Sequence, residues 1–134
     1  HKTFIYRNIM SQYSSAALKA HHYLVANKSM SPLEAWATAV AEVTESESAR
    51  KKGCPKITFL TLADCGYLKD IEARHEEKKG GKLHQRAIQV ANLILDFPAI
   101  SKAELADKTC YKDSQGSYDI VIALAQKGLL QHPK

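Results

Sequence analysis

The amino-acid sequence predicts an all-α protein built from two tandem three-helix units of the helix-turn-helix type, winged-helix-like in their order of elements. Apolar residues recur at helical spacing in both units, a capping box follows each first helix, and a glycine ends each third helix. Such spacing places an apolar stripe on one side of a helix. The 134 residues fit one compact domain, or two small units that share one core.

The first helices are predicted from two segments that align without a gap at an offset of 70 residues. Residues 17–31, ALKAHHYLVANKSMS, align with residues 87–101, AIQVANLILDFPAIS. The apolar positions coincide, as Leu24 does with Ile94, and they recur at helical spacing in both segments. Both segments are therefore predicted to be amphipathic helices.

The second helices are predicted from two S-x-x-E capping boxes. Ser31 with Glu34, and Ser101 with Glu104, place a hydroxyl and a carboxylate where they satisfy free backbone N–H groups at a helix start. Pro32 lies at the first helical position, where its missing N–H group costs nothing. The segments SPLEAWATAVAEV and SKAELADKT are therefore predicted to be helical, with Trp36 in the core.

The third helices align at an offset of 62 residues, CPKITFLTLADCGYL with GSYDIVIALAQKGLL. Gly66 and Gly128 coincide, and each suits the left-handed position that ends a helix. The shorter offset means that the first unit carries extra residues, predicted to form a polar loop within TESESARKKG. We interpret the correspondence as a duplication. An ordinary three-helix bundle with apolar stripes and glycine stops is the competing interpretation.

Four segments are predicted along the chain. Residues 1–10 are expected to be an N-terminal extension or a cloning remnant, because the first methionine is Met10. Residues 11–71 form the first unit and residues 85–134 the second. Residues 72–84 form a charged linker or a short β-hairpin wing. A glycine pair in this segment suits both structures, and the scarcity of β-branched residues favours the linker.

Composition narrows the class of protein. The net charge of +5 permits contact with nucleic acid but does not require it, since Lys2 and Arg7 lie in the extension. No apolar run approaches the roughly 18 to 20 residues that cross a bilayer, and no secretory signal is recognisable. The odd number of cysteines predicts free thiols. We therefore expect a cytoplasmic protein with no membrane contact.

The segment KKGCPKITFLTLADCGYLKDI resembles a motif of a family of small bacterial proteins that has no assigned activity. The motif is a run like KGCPK, then FL, then a spaced glycine and an apolar residue. The segments SQYSSAALKAHHYL and SPLEAW are also similar to that family, so the resemblance covers residues 11–71 and, more loosely, residues 119–130. It implies a bacterial cytosolic protein and brings no functional residues with it.

The sequence predicts neither catalysis nor a metal site or cofactor. Cys54 and Cys65 are about 16 Å apart if they share one helix, too far to bind one ion. His75 and His84 are expected in the polar linker. No nucleophile elbow, phosphate-binding loop or paired carboxylates were found. We therefore predict that the protein is not an enzyme.

Cys54 is a candidate reactive or redox-sensitive thiol. It lies at a predicted helix start beside Lys51, Lys52 and Lys56, and both the helix dipole and the ammonium groups stabilise a thiolate. The alternative is a small residue packed at a tight turn, as most free cysteines are.

The faces of the third helices argue against reading of base sequence. If Phe59 and Leu62 face the core, no outward position carries a basic side chain, and both outward faces contain an aspartate. The predicted outward positions are Ile57, Thr61, Asp64, Asp119, Ala123 and Gln126. Contact with phosphates is predicted instead from the basic and hydroxyl residues that flank the third helices. This predicted contact set is Arg50, Lys51, Lys52, Lys56, Lys112, Ser114, Gln115 and Tyr118.

Two functions follow from these patterns. The first is a non-enzymatic protein that binds DNA or RNA through phosphate contacts of Lys51, Lys52, Lys56 and Lys112. The alternative is a protein-interaction module or homodimer whose third helices form the contact surface, including Ile57 and Ala123. Lysine runs are also typical of a solvated surface, and that interpretation remains open.

Overall fold

The computed structural model describes residues 11–74, 81–113 and 115–134, and within them the backbone forms seven helices. These helices are α1 (Gln12–Ala26), α2 (Pro32–Val43), the single-turn α3 (Glu47–Arg50), α4 (Gly53–Asp64), α5 (Lys82–Asp96), α6 (Lys102–Thr109) and α7 (Ser117–Gln126). The only β-type pairing among the described residues is an isolated antiparallel bridge. The predicted all-α class is confirmed.

Several sequence-based expectations fall outside the described residues. These are the N-terminal extension of residues 1–10, part of the predicted linker or wing (residues 75–80, which include His75), and Ser114 of the predicted contact set.

The helix starts are built from the residues that the sequence pattern singled out. Ser31 Oγ accepts a hydrogen bond from the Glu34 N–H group at 3.1 Å, and Glu34 Oε1 accepts one from the Ser31 N–H group at 2.9 Å. Ser101 and Glu104 make the same pair of bonds, at 3.1 and 3.0 Å. Both predicted capping boxes are therefore present, and they fix where α2 and α6 begin.

The helices differ from the prediction at three places. One is the single-turn α3, which lies within TESESARKKG, the segment predicted to be a polar loop; Ser46 caps it by accepting from the Ala49 N–H group. Helix α1 begins at Gln12, since Ser11 Oγ caps it by accepting from the Ser14 N–H group at 3.1 Å. Helix α5 begins at Lys82, inside the segment predicted as linker. Lysine, leucine, glutamine and arginine all favour a helix, so the polar start of α5 is helical despite its low apolar content. The expectation that His84 lies in a linker was wrong.

The two predicted glycine stops are confirmed. Gly66 has φ +86° and Gly128 has φ +72°. Beyond them, the Tyr67 N–H group donates to Leu62 O at 3.0 Å, and the Leu129 N–H group donates to Leu124 O at 2.9 Å. Each bond joins the third residue after the helix to the last turn of that helix, as in a Schellman motif. The chain is thereby folded back at the same point after α4 and after α7.

The two folded-back ends pair with each other. The Lys69 N–H group donates to Leu129 O at 2.8 Å, and the Gln131 N–H group donates to Tyr67 O at 2.9 Å. Between these bonds lies the antiparallel bridge of Leu68 with Leu130. The two donors, Lys69 and Gln131, are 62 residues apart, and so are the two acceptors, Tyr67 and Leu129. The offset found in the sequence therefore relates the two bonds reciprocally.

The third helices, α4 and α7, lie at the centre of the molecule. Helix α4 packs against α2, α5 and α7, and α7 packs against α1, α4 and α5. Phe59, Leu62 and Leu124 are fully buried, and Trp36 is buried in the core against Phe59, with ring centroids 5.4 Å apart. Each third helix therefore packs on the first helix of the other unit.

This packing overturns the predicted outward faces of the third helices. Thr61 is 4% exposed because α5 lies on that side of α4, and Ala123 is 6% exposed because α1 lies on that side of α7. Ile57 is half-buried. Ala123 consequently cannot contribute to the partner surface that the alternative function required.

Substitution of the two stop glycines should cost unequal free energies of unfolding. Gly128→Ala places a Cβ in open space at positive φ, which costs ~1 kcal/mol. Gly66→Ala adds crowding, because its Cβ would lie 3.3 Å from Ala73 Cβ and 3.4 Å from Pro133 Cβ. Denaturant unfolding of the two variants measures the difference. Equal losses would contradict this account of the α4 end.

The capping boxes should make stability depend on acid pH. Bonds from the Ser31 and Ser101 backbone N–H groups lower the pKa of Glu34 and Glu104 in the folded protein. A lowered folded pKa means that the stabilisation is complete above the ordinary glutamate pKa of about 4.3 and is lost as pH falls through the folded value. Glu34→Gln and Glu104→Gln should therefore lower stability at neutral pH and cost progressively less in acid. The measurement is denaturant unfolding across this range, and a pH-independent loss would argue against it.

Candidate functional site

A crevice opens where the start of α4 and the segment before α7 meet against α5. The space in it that a water molecule can enter is about 10 Å³, which is room for about one water. Leu83, Val90 and Val121 supply apolar walls. Cys54 of α4, Arg86 of α5 and Tyr111, together with Ser117, Thr58 and Tyr118, supply polar groups. The site thus joins residues from three separate parts of the chain.

Tyr111 lies at the centre of these polar groups. The Arg86 guanidinium carbon is 3.5 Å from the centroid of the Tyr111 ring, a cation–π contact. Burial, the neighbouring Cys54 thiol and Asp113 raise the pKa of Tyr111, whereas Arg86 acts in the opposite direction. A hydrogen bond with the Cys54 side chain also raises this pKa, so the Tyr111 hydroxyl is engaged with Cys54 inside the crevice.

Tyr118 fixes the segment that carries Tyr111. It is 2% exposed, and its hydroxyl donates to Tyr111 O at 2.6 Å. The Tyr118 and Tyr111 rings also meet edge to face, with centroids 6.3 Å apart. The sequence placed Tyr118 in the contact set for nucleic acid. Its burial makes that prediction wrong, and its role is to position Tyr111.

Ser117 presents a polar group to the crevice. It is 8% exposed and lines the crevice. The neighbouring Thr58 hydroxyl donates to Cys54 O at 2.8 Å.

The predicted basic flanks adjoin, in the chain, residues that line this crevice. Lys51 and Lys52 are exposed immediately before Cys54, and Lys56 is half-buried one turn into α4. Lys112 is exposed immediately after Tyr111. Because Cys54 and Tyr111 line the same crevice, lysines some 60 residues apart in the chain are attached to neighbouring parts of the backbone. These four lysines are called the basic rim.

Two other members of the predicted contact set are engaged within the protein. Arg50 Nε donates to Thr44 O at 2.8 Å, at the end of α2. The Gln115 N–H group donates to Asp113 Oδ1 at 3.1 Å, and the Tyr118 N–H group donates to Asp113 Oδ2 at 2.9 Å. Asp113 therefore occupies the start of α7, which does not offer its N–H groups to a phosphate.

The start of α4 differs from the start of α7. Its N-cap is Lys52, which makes no side-chain hydrogen bond to the helix, and its first turn contains no acidic residue. The positive end of the α4 dipole therefore lacks an anionic group of its own chain. Cys54 lies in this first turn and lines the crevice. Its predicted position at a helix start is confirmed.

A second polar cluster lies between α4 and α5. His84 Nδ1 is 3.3 Å from Thr61 Oγ1, and His84 Nε2 is 4.0 Å from Cys65 Sγ. Burial, and secondarily the charge of Asp64, raises the pKa of the Cys65 thiol. A raised pKa disfavours the thiolate that a nucleophile needs, so this cluster does not have the electrostatics of an activated cysteine.

Sequence reasoning missed Arg86 and Tyr111. No local motif connects them with Cys54, because they are distant in the chain and meet only through packing. One signal was available for Arg86, since it lies one helical turn before Val90 on a segment whose apolar residues were predicted to face the core.

Two features are absent from residues 11–74, 81–113 and 115–134: a metal-binding cluster and a membrane-spanning helix. That part of the chain contains no group of three histidine, cysteine or acidic side chains arranged to hold a metal ion. No described helix combines the length and apolar character that crossing a bilayer requires.

The pKa of Cys65 can be tested with a single-thiol protein. In Cys54→Ser/Cys110→Ser, the pH midpoint for alkylation of Cys65 should lie above that of a free thiol, because burial and Asp64 raise its pKa. Adding Asp64→Asn should lower the midpoint without restoring the free-thiol value, since burial is the larger cause. The exposed thiol of Cys54→Ser/Cys65→Ser controls for the reagent. A midpoint at or below the free-thiol value would refute the assignment.

Comparison with known proteins adds the family. No curated protein and no solved structure matches the chain. A family model does match, over residues 10–131 of the 134. The resemblance stated from the sequence is consistent with this result. The chain belongs to a family of unknown function, DUF6979.

Proposed function

We propose that the protein is a non-enzymatic nucleic-acid-binding protein that contacts phosphates through the basic rim. One observation carries the proposal: Cys54 and Tyr111 line the same crevice, so Lys51, Lys52 and Lys112 are attached to neighbouring parts of the backbone although they come from the two different units. Exposed lysines so placed suit the phosphates of a nucleic-acid backbone.

The packing of the third helices supports binding that is independent of base sequence. In a helix-turn-helix protein the third helix enters the major groove with an exposed face. Here α4 and α7 are enclosed by α1, α2 and α5, and their predicted outward residues Thr61 and Ala123 are buried. The order of helices resembles a winged-helix unit, but contact is proposed through the lysines beside the helix starts.

We also propose that the two units arose by duplication. The two capping boxes, the two glycine stops and the reciprocal bonds at Leu68 and Leu130 support this interpretation. Duplication would give each unit a basic flank at an equivalent position, before the third helix. A cytoplasmic setting is proposed from the three free thiols, which are typical of a reducing compartment.

Binding to random duplex DNA as a function of salt concentration tests the proposed function. The wild-type affinity should fall steeply with salt, because phosphate contacts release counterions. In Lys51→Gln/Lys52→Gln/Lys112→Gln the slope of log affinity against log salt should decrease by about one for each lysine that contacts a phosphate. Duplexes of different sequence should bind with equal affinity.

A matched variant removes the same charge elsewhere. Lys28, Lys69 and Lys127 are also exposed, and they lie away from the crevice, in the turn after α1 and after the ends of α4 and α7. Lys28→Gln/Lys69→Gln/Lys127→Gln should retain more of the salt dependence than the rim variant. Equal losses in the two variants would mean that net charge alone drives binding, and undetectable wild-type binding would end the proposal.

A further inference from the structure

We propose that the outward face of α2 is a docking surface for a second copy of this chain, which contacts it through Lys51 and Lys52. The inference goes beyond the proposed function, because it requires only that these two lysines are exposed and not that they bind nucleic acid. Charge complementarity between the two surfaces carries it. The outward face of α2 consists of Leu33, Glu34, Ala37, Thr38, Ala41 and Glu42.

An apolar row runs along this face. The opposite side of α2 is buried in the core through residues such as Trp36 and Val40. Leu33, Ala37 and Ala41 are exposed at intervals of four residues, so they lie in one row along the helix. Leu33 is 51% exposed, which is unusual for a large apolar side chain in the described part of the chain. The row therefore offers apolar contact area that the protein itself does not cover.

Negative charge borders the apolar row. Glu34 and Glu42 are exposed on α2, and Glu45 and Glu47 are exposed just beyond its end. The capping bond from the Ser31 N–H group lowers the pKa of Glu34, which is therefore ionised at neutral pH. No lysine, arginine or histidine occurs in residues 29–49, although the chain carries a net charge of +5. The outward face of α2 is thus anionic on a basic protein.

A complementary surface exists on the same chain. Lys51 and Lys52 are exposed at the junction of α3 and α4. Neither ion pair found among the described residues includes one of these lysines or a glutamate of α2. A lysine packs its methylene stem on apolar surface while its ammonium group reaches a carboxylate. Lysines of a second copy can therefore cover the apolar row and neutralise the glutamates beside it.

The two surfaces of one copy are neighbours, which favours a closed dimer. Arg50 Nε donates to Thr44 O at 2.8 Å, so the lysines that follow Arg50 are held beside the end of α2. The Tyr13 hydroxyl donates to Ala49 O at 2.8 Å and anchors the same junction to α1. Two-fold symmetry then lets each copy supply one anionic and one cationic surface, so that the contact is made twice. Direct pairing of two α2 helices is disfavoured, because their glutamates would repel each other.

Sedimentation velocity of the full chain at low and high salt tests the dimer. The wild type should dimerise at low salt and dissociate as salt is added, because exposed charge pairs are screened. Lys51→Glu/Lys52→Glu and Glu42→Lys/Glu45→Lys should each weaken self-association about tenfold or more, since like charges would then face each other. Leu33→Ser should weaken it without changing its salt dependence.

Mixing the two charge-reversal variants gives the sharpest result. Lys51→Glu/Lys52→Glu is anionic on both surfaces, and Glu42→Lys/Glu45→Lys is cationic on both. Each should be monomeric alone, and together they should form a heterodimer, because both contacts are again between opposite charges.

Matched variants make the same changes of charge elsewhere. Lys69→Glu/Lys127→Glu and Glu72→Lys/Asp107→Lys alter exposed residues outside both surfaces and should dimerise as the wild type does. Thermal unfolding and the fluorescence of Trp36, the single tryptophan of the chain, show whether each variant is folded.

Three results would overturn the docking surface. They are a wild type that is monomeric at low salt, a dimer that neither salt nor the charge reversals weaken, and folded reversal variants that do not form a heterodimer. Failure of the nucleic-acid proposal gives a different result. Glu42→Lys/Glu45→Lys removes the dimer and keeps the basic rim, so it should still bind DNA if that proposal is correct, and the wild type should still dimerise if it is not.

Discussion

Burial of the two third helices on more than one side is the constraint on which the rest of the structure depends. Helix α4 carries buried residues around most of its circumference, including Thr58, Phe59, Thr61 and Leu62. A helix that is apolar on several sides must be covered on each of them. One unit of three helices has too few elements for this, so α5 of the second unit covers α4 and α1 of the first unit covers α7.

The same constraint determines where polar chemistry can occur. Because α4 and α7 both pack on α5, the start of α4 and the segment before α7 meet on one side of that helix. At the other end of α4 and α7, the chain folds back at Gly66 and Gly128 and pairs through Leu68 and Leu130. One end of the α4–α7 pair is thereby closed by backbone hydrogen bonds. The crevice lies at the other end of the pair, beside the basic rim.

The crevice is also built from groups that hold one another in place. Tyr118 is buried and bonds Tyr111 O, Tyr111 supports Arg86, and Asp113 caps α7. Thr58 bonds Cys54 O inside α4. Side chains fixed by such contacts lose little conformational freedom when a ligand binds, which favours affinity.

Local sequence determined most of the secondary structure of this protein. Ser31, Ser101, Gly66 and Gly128 act on backbone groups within a few residues of themselves, so the pattern alone located the starts of α2 and α6 and the ends of α4 and α7. The all-α class followed from the same local rules. The start of α5 was missed because its polar residues have no apolar period, although they favour a helix.

Tertiary structure alone decided which helix faces are buried and which residues form the site. Thr61 and Ala123 were predicted to point outward on the assumption that each unit covers its own third helix. Instead α5 covers α4 and α1 covers α7, so both residues are buried. Arg86 and Tyr111 meet Cys54 because α4, α5 and the segment between α6 and α7 converge. Sequence periodicity reports which residues share a face of one helix, but it carries no information on which other helix covers that face.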